Sequence, residues 1–232
     1  MSCCNENNSP EKSCCTTEKK ECKCAIKSFF QKLFGCKKDA CSLENKGQGC
    51  CGGHTSEKAM NGQCCKNKQR GTRGDVVTSG KFILGLLEKQ IEGFTPEQLV
   101  QQPGGVKNHP VWSMGHLANT LNNVVGMLGG QKTLPENYKT LFAGGTQPIA
   151  DVKAYPSAQE IHANLVAMHQ KACEFYMGAP SEMLRSPNPN ERFAATLPTL
   201  GSMVVALLTV HLAEHIGQIS AWRRAMGKDP LF

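Results

Sequence analysis

The stretch TLGSMVVALLTVHLAEHIGQISAWRRAM, residues 199–226, carries the strongest helical pattern in the chain. Its large apolar residues recur every three or four positions, as Val204, Val205, Leu208, Leu212, Ile216, Ile219 and Trp222. This spacing places them on one face of a helix. Gly227 and Pro230 follow the stretch, and both residue types are common just after a helix end. The pattern therefore predicts a long helix whose apolar face is buried in a core.

Three earlier segments, about residues 75–94, 109–130 and 157–176, show the same periodicity. Ser157, followed three residues later by Glu160, has the pattern of a capping box at the start of the third. Thr95-Pro96 predicts a short extra turn after the first. No segment shows convincing strand alternation. These features predict an all-α four-helix bundle, and its long connections allow a topology other than simple up-down-up-down.

The N-terminal part of the chain has a different composition. Twelve of the 13 cysteines lie between Cys3 and Cys65. Residues 1–74 hold 14 Lys and Arg against 7 Asp and Glu, whereas residues 75–232 hold 12 of each kind. We therefore predict a basic, Cys-rich and largely irregular extension at 1–74, ending in a linker at 66–74, and a bundle at 75–232. Since the bundle has no excess positive charge, we expect no nucleic-acid partner.

The cysteines of the extension include four adjacent pairs, at Cys3-Cys4, Cys14-Cys15, Cys50-Cys51 and Cys64-Cys65. Adjacent thiolates can bridge soft metal ions, so one interpretation is a metal-thiolate cluster. The other is a thiol-rich tail without fixed ligands. The spacing does not match the two regular pairs of a zinc finger.

The sequence also bears on location. No run reaches the roughly 18 apolar residues of a membrane-spanning helix, and the first residues lack the apolar core of a secretory signal. We expect a cytoplasmic protein without a membrane span, whose thiols are reduced or metal-bound.

Three histidines carry the main chemical signal. His211 and His215 are four residues apart on the predicted fourth helix, so their imidazoles share one face, as two ligands of one metal must. His116 lies near the apolar face of the second segment, one turn after Trp112. Three such ligands leave a coordination position for water or substrate. The alternative is a set of core histidines that hydrogen-bond to backbone or Glu.

The segments VWSMGHL, residues 111–117, and HLAEHIGQI, residues 211–219, followed by Arg223-Arg224 and Gly227, resemble the DinB-like superfamily. This group includes YfiT-like metalloproteins and bacillithiol- and mycothiol-dependent enzymes. The resemblance covers about residues 75–232. It implies a four-helix bundle with a divalent metal bound by His116, His211 and His215, and leaves the reaction open.

Several polar residues lie near the predicted ligands. We interpret Glu214 and Gln218 as candidate catalytic residues that carry protons or orient substrate, and Asn119 and Thr120 as further candidates. Each has the alternative role of a polar residue at the edge of a core. His-x-x-Glu-His is also an inverzincin protease signature, but only 17 residues follow His215. That chemistry needs a further metal ligand well downstream, and the one acid among those residues is Asp229, so the pattern favours the protease interpretation less than the others.

For the remaining candidate residues, the first interpretation is a role in stabilising the fold. His109 precedes Pro110 and is predicted to cap a helix. His169 is predicted to be buried, with a fourth metal ligand as its second interpretation. Cys173 is predicted to be a core thiol. Arg223 and Arg224 suit the negative end of a helix dipole, and binding the carboxylate of a thiol cofactor is their alternative role.

Three functional hypotheses follow. The first is a metal-dependent enzyme, a thiol S-transferase or hydrolase, that uses zinc or nickel, a low-molecular-weight thiol and a small-molecule substrate. The second is a non-catalytic protein that binds or handles metal, and the third is an inert bundle. Assembly into a homodimer is compatible with each.

Overall fold

The structure, a computed structural model, describes the backbone of residues 63–231 and side chains from residue 71 onward. Within this range the chain is helical, and its one β pairing is an isolated bridge between Pro187 and Thr199. The helices are, in order, α1 (Gln63–Ile91), α2 (Pro110–Met127), α3 (Asn137–Phe142), α4 (Ala158–Gly178), α5 (Ser181–Arg185), α6 (Glu191–Ala194), α7 (Leu200–Leu208) and α8 (Val210–Ala225). Short 3-10 turns lie at Gln98–Val100, Pro103–Gly105 and Val152–Ala154. The predicted all-α class is confirmed.

Four helical rods form the bundle: α1, α2, α4 and the consecutive pair α7–α8. The rod α2 packs along α4, and α1 packs along α8. All four rods contribute fully buried side chains, among them Leu87, Met114, Leu117, Leu121, Ile161, Leu165, Leu208, Leu212, Ile219 and Trp222. Burying one such side chain contributes roughly 1.5–3 kcal/mol, so this core is the main source of stability.

Side chains cap the starts of the helices as the sequence predicts. His109 Nδ1 accepts a hydrogen bond from the Trp112 N–H at the start of α2. The Ser157 hydroxyl accepts one from the Glu160 N–H at the start of α4. The predicted turn after Thr95 is the 3-10 turn at Gln98–Val100. These caps satisfy N–H groups that have no partner inside their own helix.

The predicted fourth segment is not one continuous helix. Thr209 has φ −132° and ψ −72°, outside the helical region, and separates α7 from α8. Its hydroxyl donates to the Val205 carbonyl at 2.7 Å, a local bond that competes with regular helix geometry. The break comes two residues before His211, so α8 begins with the residues of the candidate site.

The first helix begins earlier than predicted, at Gln63 rather than about residue 75, so the predicted linker at 66–74 is helical. The Arg73 guanidinium donates to three carbonyls at the end of α4, those of Tyr176 at 3.3 Å, Met177 at 3.2 Å and Ala179 at 2.8 Å. A cation in this position stabilises the carbonyls that have no partner inside α4. The domain boundary at residue 74 stays a prediction.

Replacing Arg73 by alanine is expected to lower the free energy of unfolding by about 2 kcal/mol, because charge-assisted hydrogen bonds are worth roughly 1.5–3 kcal/mol. Urea denaturation of the full chain measures the change. Arg224→Ala is the matched control, since Arg224 is exposed in the last turn of α8. Equal stabilities of the two variants would show that the Arg73 contact contributes nothing.

Gly80 allows α1 to approach the other rods closely. A Cβ atom there would lie 2.7 Å from the Leu208 carbonyl oxygen and 2.8 Å from His169 Nε2. Both separations are too short for non-bonded atoms. The absence of a side chain at Gly80 therefore sets the distance between α1 and the rods α4 and α7.

One helical stretch among the described residues, Leu200–Ala225, is long and apolar enough to cross a membrane by length and composition alone. The sequence pattern predicts no run of roughly 18 apolar residues. In this structure the stretch is the α7–α8 rod, and most of its large apolar residues belong to the bundle core or pack against it, whereas Val210 is exposed. The segment up to residue 62, with three of the four cysteine pairs, lies outside the described residues, whereas the backbone of Cys64-Cys65 belongs to α1. Both interpretations of the cysteine pairs stay predictions.

Candidate metal centre

Three histidines from two rods converge at one point of the bundle. His116 comes from α2, and His211 and His215 come from the first two turns of α8. One ring nitrogen from each can be chosen so that all three atoms lie within 4.8 Å of one another. Their ring centroids are 4.7–5.2 Å apart. The structure thus brings together the three residues predicted to bind metal.

His116 has a defined orientation. Its Nδ1 donates to the Phe142 carbonyl oxygen at 2.8 Å, so in the neutral ring Nε2 carries the lone pair. This Nε2 lies 3.2 Å from His211 Nε2. The Trp112 ring stacks on His116 with centroids 4.9 Å apart and planes inclined by 7°. The hydrogen bond to Phe142 therefore holds the edge of the imidazole, and the Trp112 ring holds its face.

The two histidines of α8 have different surroundings. His211 is partly exposed, and its Nδ1 lies 4.0 Å from a carboxylate oxygen of Glu214. His215 is buried, and no hydrogen bond of ordinary geometry reaches its Nδ1 among the described residues. A buried imidazole nitrogen without a partner is energetically costly, so this site is suited to a further bound group.

Burial lowers the pKa of all three histidines. For His215 it is the largest cause, followed by repulsion from His211 and His116, and the pKa falls to about 3. Burial also lowers the pKa of His116 and of His211, with Glu214 acting in the opposite direction. The rings are therefore neutral at pH 7. Neutral imidazole is the form that binds metal ions.

The geometry fits a divalent ion. Two imidazole nitrogens at roughly 2.0–2.1 Å from a tetrahedral metal are about 3.3 Å apart. The His116 and His211 Nε2 atoms are 3.2 Å apart, close to that separation. The second nitrogen of His116 donates to a backbone carbonyl, which is the usual outer contact of a metal-binding histidine.

The sequence pattern of the DinB superfamily matches residues 84–219, more than half of the chain. The chain belongs to the DinB superfamily. The matched range includes all three histidines and ends just beyond α8's first turns. Comparisons with curated proteins and with solved structures find no match.

Membership in the DinB superfamily does not assign roles to the polar residues around the histidines. Glu214 is exposed next to His211. The Gln218 side chain accepts a hydrogen bond from Asn108 Nδ2 at 3.0 Å, and it opposes the lowering of the His215 pKa. Asn119 and Thr120 are half-buried on α2. The catalytic roles predicted for Glu214 and Gln218 stay predictions.

The structure places the other predicted residues away from the three histidines of this DinB-superfamily site. His169 is buried against Gly80 and Cys173, with its ring nitrogens 3.7–3.9 Å from Cys173 Sγ. Cys173 is a buried free thiol, and burial raises its pKa to about 11. The Arg223 guanidinium donates to the Gln90 carbonyl at the end of α1. These positions favour the structural interpretations.

Sequence reasoning did not identify Phe142 and Thr146 as neighbours of the site. Phe142 ends α3, and Thr146 lies in the connection that follows. Thr146 Oγ1 accepts a hydrogen bond from Trp112 Nε1 at 3.0 Å, across 34 positions of the chain. No local pattern in the sequence signals contacts of that range.

Proposed function

We propose that His116, His211 and His215 hold one divalent metal ion, zinc or nickel, and that the protein is a metal-dependent thiol S-transferase or hydrolase. The observation that carries this proposal is the convergence of three neutral imidazoles, with a pair of nitrogens already 3.2 Å apart. Imidazole ligands suit both ions. Three protein ligands leave room for a molecule from solution, which distinguishes a catalytic site from a closed structural one.

When bound, such an ion acts as a Lewis acid that lowers the pKa of a thiol or water molecule beside it. The chain supplies the surroundings. Burial keeps the three rings neutral, so they do not offset the charge of the ion. Asn108 Nδ2 donates to the oxygen of Gln218. The Gln218 side chain also interacts with the His215 ring, so a Gln218 amide N–H would orient a substrate beside this ligand.

Glu214 completes the proposed site as a proton carrier. Its side chain is exposed and lies 4.0 Å from His211 Nδ1, so it can exchange protons with solvent beside the histidines. In an S-transfer the thiol sulfur forms a bond to an electrophilic carbon, the leaving group departs with its electron pair, and the thiol proton passes to solvent. Glu214 is placed to accept that proton.

The test uses the full-length chain with its twelve N-terminal cysteines replaced by serine, so that tail thiols neither bind metal nor react. Cys173 is retained, since its buried thiol has a pKa of about 11. We expect metal-dependent conjugation of a low-molecular-weight thiol to a chloro-dinitrobenzene, or hydrolysis of a nitrophenyl ester. A chelator should abolish turnover, and added zinc or nickel should restore it.

Variants separate the site from general effects on the fold. His215→Ala should be inactive, whereas His162→Ala should keep wild-type turnover, because His162 lies on α4 outside the three-histidine group. Tight metal binding without turnover of any thiol or ester would contradict the enzyme proposal. It would favour the second candidate, a metal-handling protein, which the twelve cysteines of the same chain support.

A further inference from the structure

We infer that Trp112 and Thr146 are positioning residues for the His116 ligand and thereby set the affinity of the site for metal. This inference rests on the metal site proposed above. The relevant segment, Phe142 to Thr146, joins α3 to the connection before α4. It bonds to His116 directly through the Phe142 carbonyl and to Trp112, which stacks on His116, through Thr146.

The first contact fixes His116 within the plane of its ring. The Phe142 carbonyl oxygen accepts from Nδ1 at 2.8 Å, which sets where the opposite nitrogen, Nε2, points. That atom is directed toward His211 Nε2 at 3.2 Å. A hydrogen bond at one edge still allows the ring to turn about the line of that bond. Another contact is needed to fix the plane itself.

Trp112 supplies that second contact. It lies one turn before His116 on α2, and its ring is nearly parallel to the imidazole, with 7° between the planes and 4.9 Å between centroids. The stacked indole prevents the imidazole from turning out of its plane. Trp112 is itself only 5% exposed, so its ring is packed in place.

Thr146 holds the indole. Its Oγ1 accepts from Trp112 Nε1 at 3.0 Å, and its own hydroxyl proton can go to the Ala143 carbonyl at 2.8 Å or the Leu141 carbonyl at 3.1 Å. Because either carbonyl can accept the hydroxyl proton, a lone pair of Oγ1 stays available to accept from the indole N–H. The segment that holds the edge of His116 thus also holds its face, through Trp112.

The test measures metal affinity in the full-length chain with serine in place of the twelve N-terminal cysteines. Thr146→Val keeps the shape of the side chain and removes the acceptor for Trp112. We expect its affinity for Co²⁺ to fall by about 10- to 100-fold, the range typical of outer contacts of metal ligands. The visible absorption of the bound Co²⁺ should also change, since the orientation of His116 changes.

Two further variants and one control test whether the loss of Co²⁺ affinity comes from the bond between Thr146 and Trp112. Thr146→Ser keeps the hydroxyl and should restore the affinity. Trp112→Phe keeps an aromatic face but lacks the N–H, so it should also bind Co²⁺ more weakly, which preserves the test if Thr146→Val does not fold. Thr140→Val is the matched control, because Thr140 is exposed on α3 and donates only to the Asn137 carbonyl.

A purely structural role predicts a different result. In that case Thr146→Val would lower the melting temperature of the metal-free protein but leave the Co²⁺ affinity and spectrum unchanged, and this outcome would overturn the inference. The wild-type titration distinguishes a failure of the positioning role from a failure of the metal site. Wild-type binding with unchanged binding by Thr146→Val contradicts the positioning role alone, whereas a wild type that binds no metal contradicts the metal site as well.

Discussion

Replacing His215 by alanine should lower the affinity of the protein for zinc or nickel by more than about 100-fold. Loss of the hydrogen-bond partner of a metal ligand typically lowers metal affinity 10- to 100-fold, and loss of the ligand itself lowers it further. The three nitrogens lie within 4.8 Å of one another, and no other group of three or more potential ligands is found among the residues with described side chains. A ligand lost from α8 therefore has no ready replacement.

Competition with a chromophoric chelator measures this affinity in the chain that lacks the N-terminal cysteines. His116→Ala and His211→Ala should show the same loss, and His162→Ala should bind like the wild type. A helical circular-dichroism spectrum for each variant serves as the folding control. Unchanged binding in both His211→Ala and His215→Ala would rule out the proposed site.

Acidification is the second change with a large expected effect. Burial lowers the pKa of His109 and of His169 to about 4, well below the usual 6.5. Below pH 6.5 the unfolded chain takes up protons at these positions and the folded chain does not, so stability falls until about pH 4. Each histidine should reduce the free energy of unfolding by about 2 kcal/mol near pH 5 and about 3 kcal/mol near pH 4.

Burial is the main cause of the lowered His109 pKa, and the bond to the Ile149 carbonyl acts in the opposite direction. The bond that needs the neutral ring is the one that Nδ1 accepts. Nδ1 accepts from the Trp112 N–H at 3.2 Å, and Nε2 donates to the Ile149 carbonyl at 3.1 Å. A second proton would have to sit on Nδ1, opposite the Trp112 N–H. Protonation would therefore remove the cap of α2, in addition to placing a charge in a buried position.

Urea denaturation of the metal-free protein at several pH values measures this dependence. His109→Asn keeps a capping oxygen but no longer titrates, so the slope of stability against pH should become shallower. Val111→Ala is the control, because it removes buried apolar atoms and should lower the whole curve without changing its slope. A wild-type stability that is constant from pH 7 to pH 5 would contradict the prediction.

The sequence predicted the parts of the structure that repeat with helical period. Leu208, Leu212, Ile216 and Ile219 recur at the spacing of one helix face, so their burial follows from the pattern alone. His211 and His215 share the same rod, and their proximity follows from a spacing of four. His116 was predicted from its place near an apolar face and from the family resemblance.

The remaining features depend on contacts that no short pattern records. Residues 63–74 lack a regular apolar stripe, so α1 was predicted to begin too late. In the structure, Arg73 reaches carbonyls about a hundred positions away. The break at Thr209 arises from a bond between its hydroxyl and one backbone carbonyl, whereas the apolar spacing continues across it. The link between Thr146 and Trp112 likewise joins residues from different segments.

The connection between α3 and α4 has a consequence for protein engineering. By its length it would be a natural place to insert a tag or a second domain, since exposed loops usually accept added residues. Here, however, Phe142 and Thr146 are hydrogen-bonded to side chains of α2, and Ile149 to the side chain of His109 at its start. Added residues between them would change the spacing of these three bonds and disturb His116. A fusion after Pro230, which is exposed and follows the last helix, leaves all three bonds intact.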